Sequence, residues 1–201
     1  MSETHDCDVV VVGGGIAGLT AANRAAQQGL KVVLLERGVD ERYLCNTRYS
    51  GGVIHLAFRN VKDRPEELME AVKQATSGNA DPALAKALAT TCGRAVDWLS
   101  GEGAKFIRVG QIAWQQWVLA PPRRIMPGLD WEGRGPDFTQ RTLANNKGAR
   151  GGRIFRGTAA TALMEKNGTC TGVEAQDAQG PHHFNARAVV LADGGFQGNL
   201  E

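Results

Sequence analysis

The chain has 201 residues, 42% of them hydrophobic and 22% charged, with a formal net charge of +2. That length carries one sizeable core, or one domain with an appendage, and the near-neutral charge gives no bias toward nucleic acid or an anionic membrane surface. The longest apolar runs, near Val9–Val12 and 188–192, are too short to span a bilayer. The N-terminal MSETHDCD lacks the basic and apolar regions of a secretory signal. Cysteines 7, 45, 92 and 170 form no CxxC pair, which argues against a zinc site or a disulfide framework and for a cytoplasmic protein with reduced thiols.

Along the chain, Val9–Val12 is continuously apolar and β-branched, as in a parallel strand buried on both faces. Residues 16–28 read as a helix with small residues at Ala17, Ala21, Ala22 and Ala25, ended by Gly29. Residues 31–36 read as a second buried strand, completing a βαβ unit. Residues 38–60 are expected to be mostly loop. Helices are expected over 65–76 and 81–100, the second capped by Asp81 with Pro82 in its first turn. Residues 101–150, with PPRR, MPG and GRGP, read as irregular. From Gly152 the strand pattern returns as RIFRGT, a meander of TALMEKNG, CTGVEAQD and HHFNA, and a final buried strand AVVLADGGF.

Gly13-x-Gly15-x-x-Gly18 follows the first strand and opens the first helix, while Glu36, adjoined by Arg37, closes the second strand. In that context the pattern is a dinucleotide fingerprint. Gly13 allows the sharp turn, Gly15 lets a pyrophosphate approach the backbone, and Gly18 lets the helix pack on the strand. The N–H groups of Ile16 and Ala17 at the helix start face the anion, helped by the helix dipole. Glu36 can accept hydrogen bonds from both ribose hydroxyls and repels a 2′-phosphate, which argues against NADP. The fingerprint alone leaves FAD and NAD open.

Four stretches decide further: VVVVGGGIAGLTAA, VVLLER, NTRYSGG over 46–52, and VVLADGGF over 189–196. With the weaker DPALAKAL…AVDWLSGEGAKF over 81–106 and the meander around Gly172 and Val173, they resemble the flavoprotein subunits of fumarate reductase and succinate dehydrogenase and their soluble relatives. Those relatives include 3-ketosteroid dehydrogenases, tricarballylate dehydrogenase and flavocytochrome fumarate reductases. The resemblance covers nearly the whole chain. It implies an α/β, Rossmann-like FAD-binding domain, a parallel sheet with a β-meander, in truncated form with a helical insertion. The Rossmann parts would span about 1–60 and 151–201, and the insertion about 61–150.

The resemblance implies FAD. Asn46, Thr47, Ser50, Gly51 and Gly52 match the loop along the flavin and pyrophosphate. Ala159 or Ala160 would contact adenine through the backbone, and Ala192 and Gly194, within 192–195, would pack near the adenosine end. Membrane-bound members attach FAD through a His where this chain has Asn46, so FAD is expected to be non-covalent. Leu44 and Cys45 replace a common Gly-Gly pair. Family members continue for at least as many residues again, with a capping domain that carries the substrate-binding and proton-donating Arg and His residues. No catalytic residue is therefore assigned here, and the strand over 189–191 is expected to be an edge prone to self-association.

The implied activity of the full enzyme is hydride transfer between flavin N5 and a small-molecule substrate, forming or reducing a C=C bond, with no nucleic-acid or membrane partner. The alternatives are a non-catalytic FAD-binding fragment, half of a split enzyme, or an NAD-dependent Rossmann dehydrogenase. The last is disfavoured by the SGG loop, the meander and ADGGF. Trp114 and Trp117 read as packing residues or, alternatively, as a wall over the flavin or substrate, and Pro121-Pro122-Arg123-Arg124 as a solvated loop. His182 and His183 are expected on an exposed meander, facing opposite sides and unable to share a metal. No metal-ligand cluster is evident.

Overall fold

The structure is a computed structural model and describes residues 2–120 and 134–195. In chain order the first elements are β1 (Glu3–Asp6), β2 (Val9–Val12), α1 (Ile16–Gln27), β3 (Val32–Glu36) and α2 (Asn46–Tyr49). Then come α3 (Pro65–Ala75), α4 (Pro82–Gly101), β4 (Lys105–Ile107), β5 (Val118–Ala120) and α5 (Arg134–Ala149). The chain closes through β6 (Arg153–Arg156), β7 (Ala159–Lys166), β8 (Thr169–Gln176), β9 (Pro181–Asn185) and β10 (Ala188–Leu191). The backbone divides into two compact units, Met1–Arg48 with Gln140–Glu201, and Tyr49–Thr139.

The first unit is built on a parallel sheet in the order β10-β2-β3-β6. Helix α1 packs on one face, where Val11 meets Gly18 and where Leu19, Ala22 and Ala26 are buried. Against the other face lies a second sheet, β1-β9-β8-β7, and Val10, Val33 and Leu35 share a core with Val173, Ala175 and Phe184. Alternate side chains of β2 and β3 therefore enter different cores. That explains why both strands are apolar without a break. Helix α1 closes as expected at Gly29, whose φ of +78° suits glycine and whose N–H donates to Ala26 O at 3.0 Å. Strand β10 is the edge of the parallel sheet among the described strands, with Leu191 exposed.

The polar N-terminus gave no strand signal, yet it forms β1, parallel to β9 with Glu3 opposite His182 and His5 opposite Phe184. An edge strand can be polar because only part of it faces a core.

In the second unit α4 is capped by Asp81, whose Oδ1 accepts the Leu84 N–H at 2.9 Å. Strands β4 and β5 form an antiparallel hairpin. The tryptophans pack as expected: Trp117 lies edge-on to Phe106 and donates to Asn60 Oδ1 at 2.9 Å, and Trp114 meets His55 and Phe58.

The irregular reading of 101–150 is corrected by β4, β5 and α5. Pro136 sits in the first turn of α5, where its missing N–H does no harm. The sequence shows no apolar helical stripe there because the side chains this helix buries are mostly polar: Asp137, Thr139, Gln140 and Lys147, against Pro136 and Leu143. Its helical period is real but is not written in hydrophobic residues. Pro121, Pro122, Arg123 and Arg124 lie outside the described residues. No helix among the described residues is long and apolar enough to cross a membrane.

Candidate dinucleotide site

The β2–α1 turn is fixed from several directions. Gly13 has φ +98° and donates to Leu35 O at 2.8 Å; a Cβ there would press on the backbone of Ala192 and come 2.7 Å from Asp193 Cα. A Cβ on Gly18 would collide with the Gly13 carbonyl oxygen. These two glycines are required by the chain's own packing. Gly15 is different. It caps α1 with an ordinary φ of −67°, and a Cβ there would have only Thr47 Oγ1 near it, at 3.5 Å.

Gly14, which the fingerprint leaves variable, is the most firmly held residue of the turn. Its N–H donates to Glu36 Oε2 at 2.9 Å, and its carbonyl accepts from Tyr43 Oη at 2.7 Å and Gln140 Nε2 at 2.9 Å. Glu36 Oε1 also accepts the Gly38 N–H at 2.7 Å, and the residue is only 6% exposed. A carboxylate has about four lone-pair sites, so two remain for further donors. Burial raises the Tyr43 pKa, which keeps the phenol a neutral donor. Neither Tyr43 nor Gln140 was found in the sequence: Tyr43 lies in an aperiodic loop, and Gln140 on the unrecognised helix.

At the helix start, the Ile16 N–H is not open as expected; it donates to Thr47 Oγ1 at 3.0 Å. Ala17 is the next residue without a carbonyl four places back in the helix. Arg48 Nε donates to Tyr43 O at 2.8 Å and ties the loop to α2. Asn46 is exposed, and Cys45 lies 3.3 Å from Gln140 Nε2. The three SGG residues belong to the second unit. Ser50 Oγ accepts the Gly52 N–H at 3.3 Å, Gly52 has φ +72° beside Pro136 and Leu119, and Gly51 has open space around its Cβ position.

Glu36 sits beside the start of β7, because Thr158 N–H donates to its carbonyl at 3.0 Å and Gly157 N–H to Gly38 O at 3.0 Å. Ala159, Ala160 and Arg37 are exposed just beyond these ties. Ala192 is elsewhere. Its N–H donates to Val12 O at 2.8 Å, and strand order puts it on the opposite flank of β2 from Glu36; Gly194 is exposed, with φ +90°. Ala192 lies beside the turn at Gly13.

The pattern that defines the FAD binding domain family matches residues 8–201 of this chain. The chain belongs to that family. It is 31% identical over 209 residues to the fumarate reductase (cytochrome) of Shewanella frigidimarina, covering 100% of this chain and 35% of that protein. It is 31% identical over 213 residues to the urocanate reductase of Eggerthella lenta, covering 98% of this chain and 33% of that protein. Its backbone matches the 3-ketosteroid-delta4-(5alpha)-dehydrogenase of Rhodococcus jostii RHA1 with a TM-score of 0.76 at 24% identity, over 96% of this chain and 46% of that one. The chain spans about a third of the length of the curated relatives it matches. The dinucleotide of this FAD-binding domain is FAD, as the resemblance implied.

One histidine of the FAD-binding domain is not where the sequence suggested. His182 is buried rather than exposed, and its Nδ1 lies 3.2 Å from His5 Nε2. The reason is the parallel pairing of β1 on β9, which turns His5 and His182 onto one face. His183 is half-buried.

Proposed function

We propose that the chain supplies the FAD-holding part of an oxidoreductase that forms or reduces a C=C bond of a small-molecule substrate, with FAD held non-covalently. Gly15 carries this reading. It is the fingerprint glycine that no protein atom requires, and the space before its Cα is what a pyrophosphate needs. Gly13 and Gly18 shape that turn, and Ala17, beside Ile16 at the helix start, offers its N–H to the anion. Glu36 takes the ribose, with Arg37, Ala159 and Ala160 beside it at the adenine end. Asn46 and Thr47 lead from the turn toward the flavin, Ser50, Gly51 and Gly52 continue that loop in sequence, Ala192 flanks the turn, and Gly194 follows it in sequence. The division into FAD-binding parts at 1–60 and 151–201 with an insertion at 61–150 belongs to the same proposal. When bound, the flavin supplies hydride transfer at N5; this chain's residues hold and orient it. The 31% identity to reductases of fumarate and urocanate supports the reaction class.

The test is an absorption spectrum of the purified chain after FAD addition and desalting. A retained flavin band is expected. A folded chain that releases all its flavin would overturn the claim that these residues make a holder. Glu36→Ala should weaken FAD binding by about 1.5–3 kcal/mol, the scale of hydrogen bonds to a charged group. It should also lower the melting temperature, because the Gly14 and Gly38 N–H groups lose their acceptor. Unchanged affinity in an FAD titration would move the ribose away from Glu36.

A further inference from the structure

The Glu3, His5 and His182 cluster has no part in the dinucleotide site. Glu3 and His5 are two residues apart on β1 and so share a face, and the parallel register puts His182 opposite Glu3. The ligand-type atoms form a small triangle. His5 Nε2 and His182 Nδ1 are 3.2 Å apart, Glu3 Oε1 is 3.7 Å from His5 Nε2, and Glu3 Oε2 is 3.9 Å from His182 Nδ1. A tetrahedral zinc ion with bonds of about 2.0–2.1 Å sets neighbouring ligand atoms about 3.3–3.5 Å apart. The triangle is within a few tenths of an ångström of that, and a small turn of the Glu3 side chain closes it.

The surroundings support the same use. The two imidazole side chains are 9% and 7% exposed, while Glu3 is 69% exposed, so the cluster opens to solvent on one side. His5 is stacked on Phe184 at 4.6 Å and tilted against Phe155 at 4.9 Å, which fixes its ring. His182 Nε2 lies 2.8 Å from Asp177 Oδ2 yet has no aligned hydrogen bond. Asp177 is itself held, its Oδ1 accepting the Gln179 and Gly180 N–H groups at 2.8 and 3.0 Å. A carboxylate behind the far nitrogen is how metal-bound histidines are oriented, with the proton on Nε2 and the lone pair on Nδ1. Arg153, stacked on Phe155 at 4.7 Å, is a neighbouring cation, and the carboxylates of Glu3 and Asp177 oppose it.

We propose that Glu3, His5 and His182 form a binding site for a divalent transition-metal ion such as zinc, with Asp177 as the positioning residue behind His182 and water as the fourth ligand. The site joins two ends of the chain, His5 and His182 being 177 residues apart, so an ion there would fasten β1 to β9.

The experiment uses the full chain, stripped with a chelator and titrated with zinc against a chromophoric competitor, and separately with cobalt(II). One equivalent should bind, and cobalt should give the intense visible bands of a tetrahedral site. His5→Gln and Glu3→Gln should each weaken binding at least about 10-fold, and Asp177→Asn about 10–100-fold, the range for groups that orient a ligand. Glu3 is exposed, so its variant is expected to fold, and circular dichroism would check this for each variant. Failure of the wild-type chain to take up either metal overturns the proposal. So does uptake that is as tight in Glu3→Gln and His5→Gln as in the wild type.

Discussion

Gly15→Val should abolish FAD retention and leave the melting temperature nearly unchanged, whereas Gly18→Ala should damage the fold itself. The two glycines stand three residues apart in one fingerprint, but different neighbours constrain them. At position 15 the backbone is in an ordinary extended conformation, and the Cβ direction is open apart from Thr47 Oγ1. A valine there should change stability by no more than about 1 kcal/mol. It would fill the space assigned to the pyrophosphate, and FAD affinity should fall by at least about 100-fold, or roughly 2.7 kcal/mol. At position 18 a methyl group meets the Gly13 carbonyl oxygen, which is backbone and cannot rotate away. Helix α1 must then lift from β2, at about 3 kcal/mol. In a domain of this size that lowers the melting temperature by roughly 6–12 °C. Calorimetry and FAD titration of both variants separate the two effects. A Gly15→Val variant that keeps FAD would displace the anion from the helix start. A Gly18→Ala variant as stable as wild type would contradict the close packing of α1 on the turn.

Lys147→Met should stabilise the chain at pH 7 by about 1–3 kcal/mol, with the advantage fading as pH rises toward 10. Lys147 is 2% exposed on α5, and Gly152 closes over its stem, where a Cβ would come 2.8 Å from Lys147 Cγ. Burial, with a smaller contribution from the Arg156 charge, lowers its pKa to about 8 from an ordinary 10.5. A base with a lower pKa in the folded state holds fewer protons there than when unfolded, between about pH 8 and 10.5. Stability therefore rises with pH across that window, and below pH 8 the full penalty of a buried ammonium is present. Cys7, Cys92 and Tyr43 have pKa values raised by burial and act in the opposite sense above about pH 9, so the difference between wild type and variant is the quantity to follow. Melting curves of both proteins at pH 7 and pH 10 provide it. A variant less stable than wild type at pH 7 would show that the ammonium has a stabilising partner.

The βαβ unit was legible because its signals are local: unbroken β-branched runs, small residues on α1, and glycines where the turn needs them. The α4 cap was legible for the same reason, since Asp81 and Pro82 act within one turn. What stayed hidden depends on residues far apart in sequence. Gln140 reaches Gly14 from a helix whose buried face is polar, so no apolar period marked it. Tyr43 acts through one hydroxyl from a loop with no period. Strand β1 is polar because it is an edge, and His182 was misplaced because its partner lies on that unseen strand. The choice of FAD over NAD was never in the fingerprint; the stretches beyond it and the family match supplied it.

The double hold on the Gly14 carbonyl has a consequence for the order in which the molecule comes into being. Gln140 follows Gly14 by 126 residues. At about 5–20 residues per second, a ribosome adds it roughly 6–25 s after the turn. During that interval a nascent chain already carries the glycines, Glu36 and Tyr43 but lacks the final donor to the turn. A fragment ending before α5 would have the whole fingerprint and still present a looser cradle, so the capacity to seize a nucleotide should arise late in synthesis rather than when the motif first emerges.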